Sequence, residues 1–122
     1  MKLLFLECIA RMEGLHVTGS RPQINNNPGD LEYHGWEAIY GGSLGSDLRF
    51  AKFPSVDQGY QALRHLFTFP LYFGKTLAVA FNTYAPSGEN QTNVYLKNVC
   101  EWGGFTADTI ITIDLLTLPT GE

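Results

Sequence analysis

Apolar residues recur at helical spacing in four stretches of the chain. The spacing predicts helices over residues 2–12, 55–67, 77–84 and about 90–102. Ser55 and Thr76 stand where N-caps are expected, since their side-chain oxygens can accept backbone N–H groups of the first turn. Gly14 is a plausible C-cap of the first helix, and the glycine pair at 103–104 ends the fourth. These four helices are therefore predicted to form the main lobe of the domain.

The segment between the first two of these helices has a different pattern. Residues 14–29 are rich in Gly, Pro and Asn, which predicts a long ordered loop. Residues 31–36 and 48–53 alternate enough for two short strands, and the Gly- and Ser-rich stretch between them predicts the turn of a hairpin. We therefore expect one α+β domain over residues 1–122, with a mainly helical lobe and a small β-hairpin that flanks a substrate cleft.

Composition narrows the classes of function. Of the 122 residues, 44% are hydrophobic and 16% are charged, which is typical of a globular domain. The net charge is −4 with only eight scattered Lys and Arg residues, which argues against nucleic acid as a partner. No apolar run is long enough to span a membrane, so membrane insertion is not expected. The three histidines are far apart in sequence, so neither a metal site nor a cofactor is expected.

The N-terminal segment and the cysteines bear on localisation. The apolar stretch after Lys2 is short, contains Glu7 and lacks a small-x-small cleavage site. We therefore interpret it as a helix of the mature protein and not as a signal peptide, which predicts synthesis in the cytoplasm. Cys8 and Cys100 are either two buried thiols or one bridge, and the lack of a secretory signal favours free thiols. A monomer is expected.

Glu13 is the first candidate for chemistry. It ends the first predicted helix, among mostly apolar neighbours and directly before the polar loop. A carboxyl group half-buried at the floor of a cleft has a raised pKa and keeps its proton near neutral pH, as a general acid requires. The alternative is a solvated residue at the helix end, or one paired with Arg11 or Arg21.

Four segments occur in order across about residues 5–110: RMEGL, SRPQINNNPGDLEY, SDLRFAKFPSVDQGYQALRHLF and YAPSGENQTNVYLKNVCEWGG. Together they resemble a family of lysozyme-like phage and prophage proteins. The resemblance implies a lysozyme-like fold with Glu13 at the position of the catalytic glutamate. The sequence departs from the family pattern at Asp30 and Glu32, where Asn and Arg are commoner, and at Tyr84, where Trp is usual.

The activity implied by this resemblance is cleavage of the β-1,4 bond between N-acetylmuramic acid and N-acetylglucosamine in peptidoglycan. The enzyme would be a muramidase or a lytic transglycosylase, acting at the cell wall after release or as a virion component. Another N-acetylated glycan is a possible substrate. The alternative is a catalytically inactive glycan-binding or structural virion protein with the same fold.

A second carboxylate decides between the reaction routes. Asp30 and Asp47 flank the predicted hairpin, and either is a candidate base or stabilising group, although Asp is also common in turns. Asp30 is taken as the second catalytic candidate. If neither faces Glu13, the route of a lytic transglycosylase is open, in which a group of the sugar replaces the missing carboxylate.

Polar and aromatic residues supply candidate sugar contacts. The asparagines offer donors and acceptors that suit N-acetyl and hydroxyl groups, and they also suit loop folding, so we expect at least one in each use. Ser20 is a candidate partner of Glu13 or a turn cap. For the candidates near the fourth predicted helix, the alternatives to sugar binding are helix capping by Glu89 or Asn90 and core packing by Tyr95. The candidate substrate-binding residues are Ser20, Asn25, Asn26, Asn27, Tyr33, Tyr84, Glu89, Asn90 and Tyr95.

Overall fold

Helices and a two-stranded antiparallel sheet form the regular structure of the protein. The computed structural model describes residues 2–84 and 89–119, without the side chains of Glu89 and Asn90. The elements are α1 (Phe5–Glu13), α2 (Arg21–Ile24), α3 (Trp36–Tyr40), β1 (Gly45–Asp47), β2 (Phe50–Lys52), α4 (Val56–Phe67), α5 (Leu77–Tyr84), α6 (Glu89–Gly103) and a 3-10 turn (Asp114–Leu116). This mixture of helices and a small sheet confirms the α+β class.

The four helices predicted from the apolar spacing are all present, as α1, α4, α5 and α6. Gly14 ends α1 with a φ of 95°, and its N–H donates to the carbonyls of Ala10 and Arg11. Ser55 caps α4 by accepting the N–H of Gln58, as predicted. Thr76 likewise accepts the first-turn N–H of α5, from Val79, at 3.2 Å.

The hairpin begins later in the sequence than the alternating apolar pattern predicted, at Gly45 instead of residue 31. Residues 31–36 are not a strand: they make a single bridge, between Glu32 and Phe50, before α3 begins at Trp36. Gly35, with a φ of 99°, turns the backbone out of the extended conformation, and the buried Glu37 carboxylate accepts the N–H of His34 at 2.8 Å. The first strand, β1, lies instead within the predicted turn and pairs antiparallel with β2.

The predicted loop over residues 14–29 contains a short helix, α2, which the sequence analysis missed. Ser20 caps it by accepting the N–H of Gln23, and Pro22 occupies its first turn. The loop then lies against α4 at Gly59. A Cβ at Gly59 would lie 2.2 Å from the carbonyl oxygen of Asn26, so this close approach requires glycine.

The hydrophobic core is centred on α1, which packs chiefly against α6 and also contacts α4. Phe5 is nearly fully buried and packs edge-on against Phe67, with 5.2 Å between the ring centroids. Cys8 is buried and Cys100 is partly buried, and both are free thiols. Among the helices that the structure describes, none is long and apolar enough to cross a membrane.

Candidate active site

A cleft of about 610 Å³ lies between the end of α1, the loop before the hairpin and the ends of α4 and α5. Three carboxyl side chains and several aromatic rings share its lining. This combination suits a ligand with polar groups and apolar faces. The lining residues are Glu13, Gly29, Asp30, Leu31, Glu32, His34, Trp36, Leu66, Phe69, Tyr72 and Tyr84.

Glu13 lies in this cleft at the last position of α1, partly buried. Its Oε2 accepts a hydrogen bond from the hydroxyl of Tyr95 at 2.9 Å. Burial raises the pKa of Glu13 above its usual value; the Tyr95 hydrogen bond lowers it, the charge of Asp30 raises it and that of Arg21 lowers it. Glu13 thus lies partly buried in a cleft at the end of α1, and its catalytic role stays a prediction.

Two tyrosines from different helices donate hydrogen bonds to groups at the end of the cleft where Glu13 lies. Tyr95 of α6 is only 7% exposed, and its hydroxyl is directed to Glu13. Tyr84 of α5 lines the cleft and donates its hydroxyl to the carbonyl oxygen of Gly29 at 3.0 Å. The rings meet edge-on, with 6.2 Å between centroids. Because burial raises the pKa of both hydroxyls well above the usual value, both remain protonated donors.

Asp30 lies in the cleft but is held by a cation. Its two carboxylate oxygens accept from Nε of Arg21 at 2.9 and 3.1 Å, and Oδ2 also accepts from Nη2 of the same guanidinium. The guanidinium carbon of Arg21 lies 3.5 Å from the centroid of the Phe50 ring. Asp47, the other acidic candidate, lies exposed in β1 and is not among the residues that line the cleft.

The asparagines connect the loop to the hairpin. Asn27 is 0% exposed; its Nδ2 donates to the carbonyls of Leu31 and Ala51, and its Oδ1 accepts the N–H of Leu31. Asn26 donates to a backbone carbonyl just after β2 at 3.1 Å, and Asn25 is buried. The structure does not bring these side chains to the cleft surface, contrary to the expectation that at least one faces it.

The remaining candidates occupy other positions. The hydroxyl of Ser20 donates to the carbonyl of Gly14 at 2.6 Å, so the side chain links the end of α1 to the start of α2. Tyr33 is partly buried against the core and is not among the cleft-lining residues. The side chains of Glu89 and Asn90 lie outside the described residues. Of the predicted contacts whose side chains the structure describes, only Tyr84 lines the cleft, while the Tyr95 hydroxyl bonds to Glu13 from the core side.

The cleft is also lined by three aromatic rings that were not among the predicted sugar contacts, those of Trp36, Phe69 and Tyr72. Trp36 packs edge-on against Phe69, with 5.2 Å between centroids, and both rings line the cleft together with Tyr72. Phe69 and Tyr72 lie in an irregular segment after α4, whose apolar run has no period. Only a three-dimensional arrangement shows that these rings share a surface with Glu13.

No family model matches the chain, and no curated protein is significantly similar to it. In the part of the chain that the structure describes, no three His, Cys, Asp or Glu side chains are grouped so that they could hold a metal ion.

Proposed function

We propose that this protein cleaves β-1,4 glycosidic bonds of peptidoglycan, with Glu13 as the general acid. The observation that carries the proposal is the Glu13 carboxyl group, which lines a cleft, has a raised pKa and is oriented by the hydroxyl of Tyr95. Glycosidic cleavage requires a proton on the leaving oxygen, and a carboxyl group with a raised pKa can hold that proton near neutral pH.

The rest of the cleft supports a carbohydrate substrate. Trp36, Phe69 and Tyr72 provide rings against which the apolar faces of sugar residues can pack. Asp30 and Glu32 place acceptors on the same surface for hydroxyl and amide groups. Hydrophobic rings with a few polar groups are the usual lining of a small-molecule site.

The chain order also supports a lysozyme-like arrangement. Glu13 ends α1, the hairpin of β1 and β2 follows, and helices α4 to α6 come after it. This order agrees with the resemblance of the four sequence segments to lysozyme-like phage and prophage proteins. The proposed site of action is the cell wall, reached after release from the cytoplasm or as part of a virion.

One observation favours a second candidate, a glycan-binding or structural virion protein without turnover. Asp30 is paired with Arg21, so this carboxylate is already engaged by a cation and is not left free for the role that a two-carboxylate hydrolase would give it. A protein that kept the cleft and lost the chemistry would bind muropeptides or chitooligosaccharides without cleaving them.

The test measures the release of soluble muropeptides from purified peptidoglycan. The turbidity of the suspension reports the rate, and mass spectrometry of the soluble fraction identifies the products. Wild-type protein should clear the suspension, and Glu13→Gln should fold normally but lose about 100-fold or more of the rate, the usual contribution of a general acid. Asp47→Asn is the matched control, since it also removes a carboxylate, but one that is exposed in β1 and lies outside the cleft lining.

Full activity of Glu13→Gln would refute the assignment of Glu13. Binding of muropeptides by the wild type without any release of soluble products would favour the second candidate. Circular dichroism and thermal melting of each variant show whether a lost activity reflects lost folding.

A further inference from the structure

We propose that His34, held in place by the buried carboxylate of Glu37, binds a carboxylate group carried by the glycan, so that the cleft prefers acidic glycans over neutral ones. This inference rests on the proposed function and names a substituent that the same cleft recognises. Peptidoglycan carries carboxylates on the lactyl group of muramic acid or on the stem peptide, whereas a polymer of N-acetylglucosamine has none. His34 is a binding residue in this proposal, and Glu37 is a positioning residue.

Glu37 of α3 has a carboxylate that is 0% exposed. Its Oε1 accepts the backbone N–H of His34 at 2.8 Å, whereas Oε2 has no hydrogen-bond partner among the described residues. Oε2 lies 3.5 Å from Nδ1 of His34, which is within ion-pair distance. A carboxylate that is removed from water is unfavourable unless a cation lies nearby. The imidazole of His34 is therefore the group that compensates the buried carboxylate.

The same contact directs the other side of the imidazole ring away from Glu37. One carboxylate holds both the backbone and the ring of His34, and Gly35 turns the chain directly after it with a φ of 99°. Both nitrogens of a protonated imidazole are donors, so Nδ1–H faces Glu37 and Nε2–H is left for a ligand. The side chain of His34 is 64% exposed and belongs to the cleft lining. Glu37 thus presents a charged donor in the cleft.

The charges of the cleft favour His34 as the place for an anionic group. Three carboxyl side chains share the lining, and His34 is the only lining residue in the described part of the chain that can carry a positive charge. Asp30 is paired with Arg21, and Oε2 of Glu32 lies 3.8 Å from Nε of Arg49. An anionic substituent is repelled by an acidic lining unless it meets a cation. It is therefore expected to bind where His34 lies.

Trp36 supports a sugar ligand at this position. It lies two residues after His34 and lines the same cleft, where its ring packs against Phe69. One short segment thus offers an aromatic face and a charged donor. This pairing suits a sugar that carries an acidic substituent.

The test compares three oligosaccharides of equal length by titration calorimetry, using the full chain with Glu13→Gln so that no ligand is cleaved. The neutral ligand is an oligomer of N-acetylglucosamine. The two acidic ligands alternate N-acetylglucosamine with N-acetylmuramic acid, one without peptides and one with stem peptides. At least one acidic ligand should bind about threefold to tenfold more tightly than the neutral one. The acidic ligand that gains affinity identifies the lactyl group or the stem peptide as the source of the carboxylate.

His34→Gln, made in the same background, removes the charge and keeps a polar side chain. The affinity ratio of acidic to neutral ligand should fall to about one, while the affinity for the neutral ligand stays unchanged. His16→Gln is the matched control, because His16 is exposed and lies outside the cleft lining, so the ratio should persist.

Glu37→Gln tests the positioning role. It keeps an acceptor for the N–H of His34 but removes the countercharge, so it should also lower the ratio. A merely structural role of Glu37 would lower the affinity for acidic and neutral ligands alike. If Glu37→Gln does not fold, His34→Gln decides, because its side chain is largely exposed.

The outcomes separate this inference from the proposed function. Equal affinities for the acidic and neutral ligands, or no binding of any of them, overturn the inference, and the release of muropeptides by wild type would still support the glycosidase. A preference that persists in His34→Gln overturns the role of His34. A preference that depends on His34, in a protein whose wild type releases no soluble muropeptides, overturns the proposed cleavage and leaves this inference standing.

Discussion

Replacing Tyr95 by phenylalanine removes one hydroxyl group and tests the contact that orients Glu13. The hydroxyl lies 2.9 Å from Oε2 of Glu13, and the ring is 7% exposed, so water cannot easily replace the lost donor. The ring itself remains in place, because phenylalanine keeps its packing against Phe81. The change therefore isolates the hydrogen bond from the rest of the core.

The expected loss of stability depends on the charge of Glu13. A hydrogen bond to a charged group contributes about 1.5–3 kcal/mol to the free energy of unfolding, and a neutral one about 0.5–1.5 kcal/mol. Burial raises the pKa of Glu13 above its usual value, so the group is protonated at about pH 3.5 and is ionised only at a pH above that raised pKa. Tyr95→Phe should therefore cost more at the higher pH, about 1.5–3 kcal/mol.

Tyr84→Phe is the matched control. Its hydroxyl donates at 3.0 Å to the carbonyl oxygen of Gly29, which carries no charge at any pH. The cost should be about 0.5–1.5 kcal/mol at both pH values. For a chain of this size 1 kcal/mol corresponds to about 3–5 °C in Tm, so the two variants are distinguishable by melting alone.

The assay is urea unfolding of wild type and both variants at the two pH values, with each variant compared to wild type at the same pH. Equal costs for Tyr95→Phe at both pH values would refute the charged hydrogen bond.

The same variant should show a second effect in activity. Because the Tyr95 bond lowers the pKa of Glu13, its loss raises that pKa further, and the alkaline limb of the pH–rate profile should move to higher pH.

Three further predictions concern the supporting structure. Asn27→Ala leaves several buried backbone groups without partners and should cost about 3 kcal/mol or more in urea unfolding; a cost below 1 kcal/mol would contradict the buried network. Gly59→Ala places a methyl group 2.2 Å from the carbonyl of Asn26 and should cost about 1–3 kcal/mol, whereas Gln61→Ala on the exposed side of α4 should stay within about 0.5 kcal/mol. Burial raises the pKa of Cys8 to about 11, so its thiol should react with a thiol reagent only after unfolding. Equal reaction rates of Cys8 in the folded and the unfolded protein would contradict its burial.

The helices could be predicted because their signals are local. The apolar stripe of α1 and the Ser55 cap of α4 depend on residues within one or two turns, and both are present in the structure. The strand prediction over residues 31–36 was wrong, because alternation alone does not distinguish a strand from an extended segment. Gly35 and the buried carboxylate of Glu37 end the extended segment, and the burial of Glu37 depends on contacts outside it.

The candidate site was predicted only in part. Glu13 could be singled out from its place at a helix end, but its hydrogen-bond partner Tyr95 is 82 residues away in the sequence. The pairing of Arg21 with Asp30 depends on a loop helix and a left-handed residue that composition does not reveal. The asparagines were ambiguous for a physical reason: an amide that folds a loop and an amide that binds a sugar use the same donors and acceptors.

The position of Glu13 depends on the core more than on the loops around the cleft. Tyr95 bonds to its carboxylate, and the Tyr95 ring packs against Phe81 of α5 at 5.1 Å between centroids. The Tyr84 ring packs against Phe67 of α4 at the same separation, so the tyrosines at the site tie it to three helices. A substitution that shifts α6 relative to α1 should therefore change the hydrogen bond to Glu13, and with it the pKa on which the proposed general acid catalysis depends. Core variants should therefore lose the proposed activity before they lose their fold, which muropeptide release and thermal melting of the same variants would show.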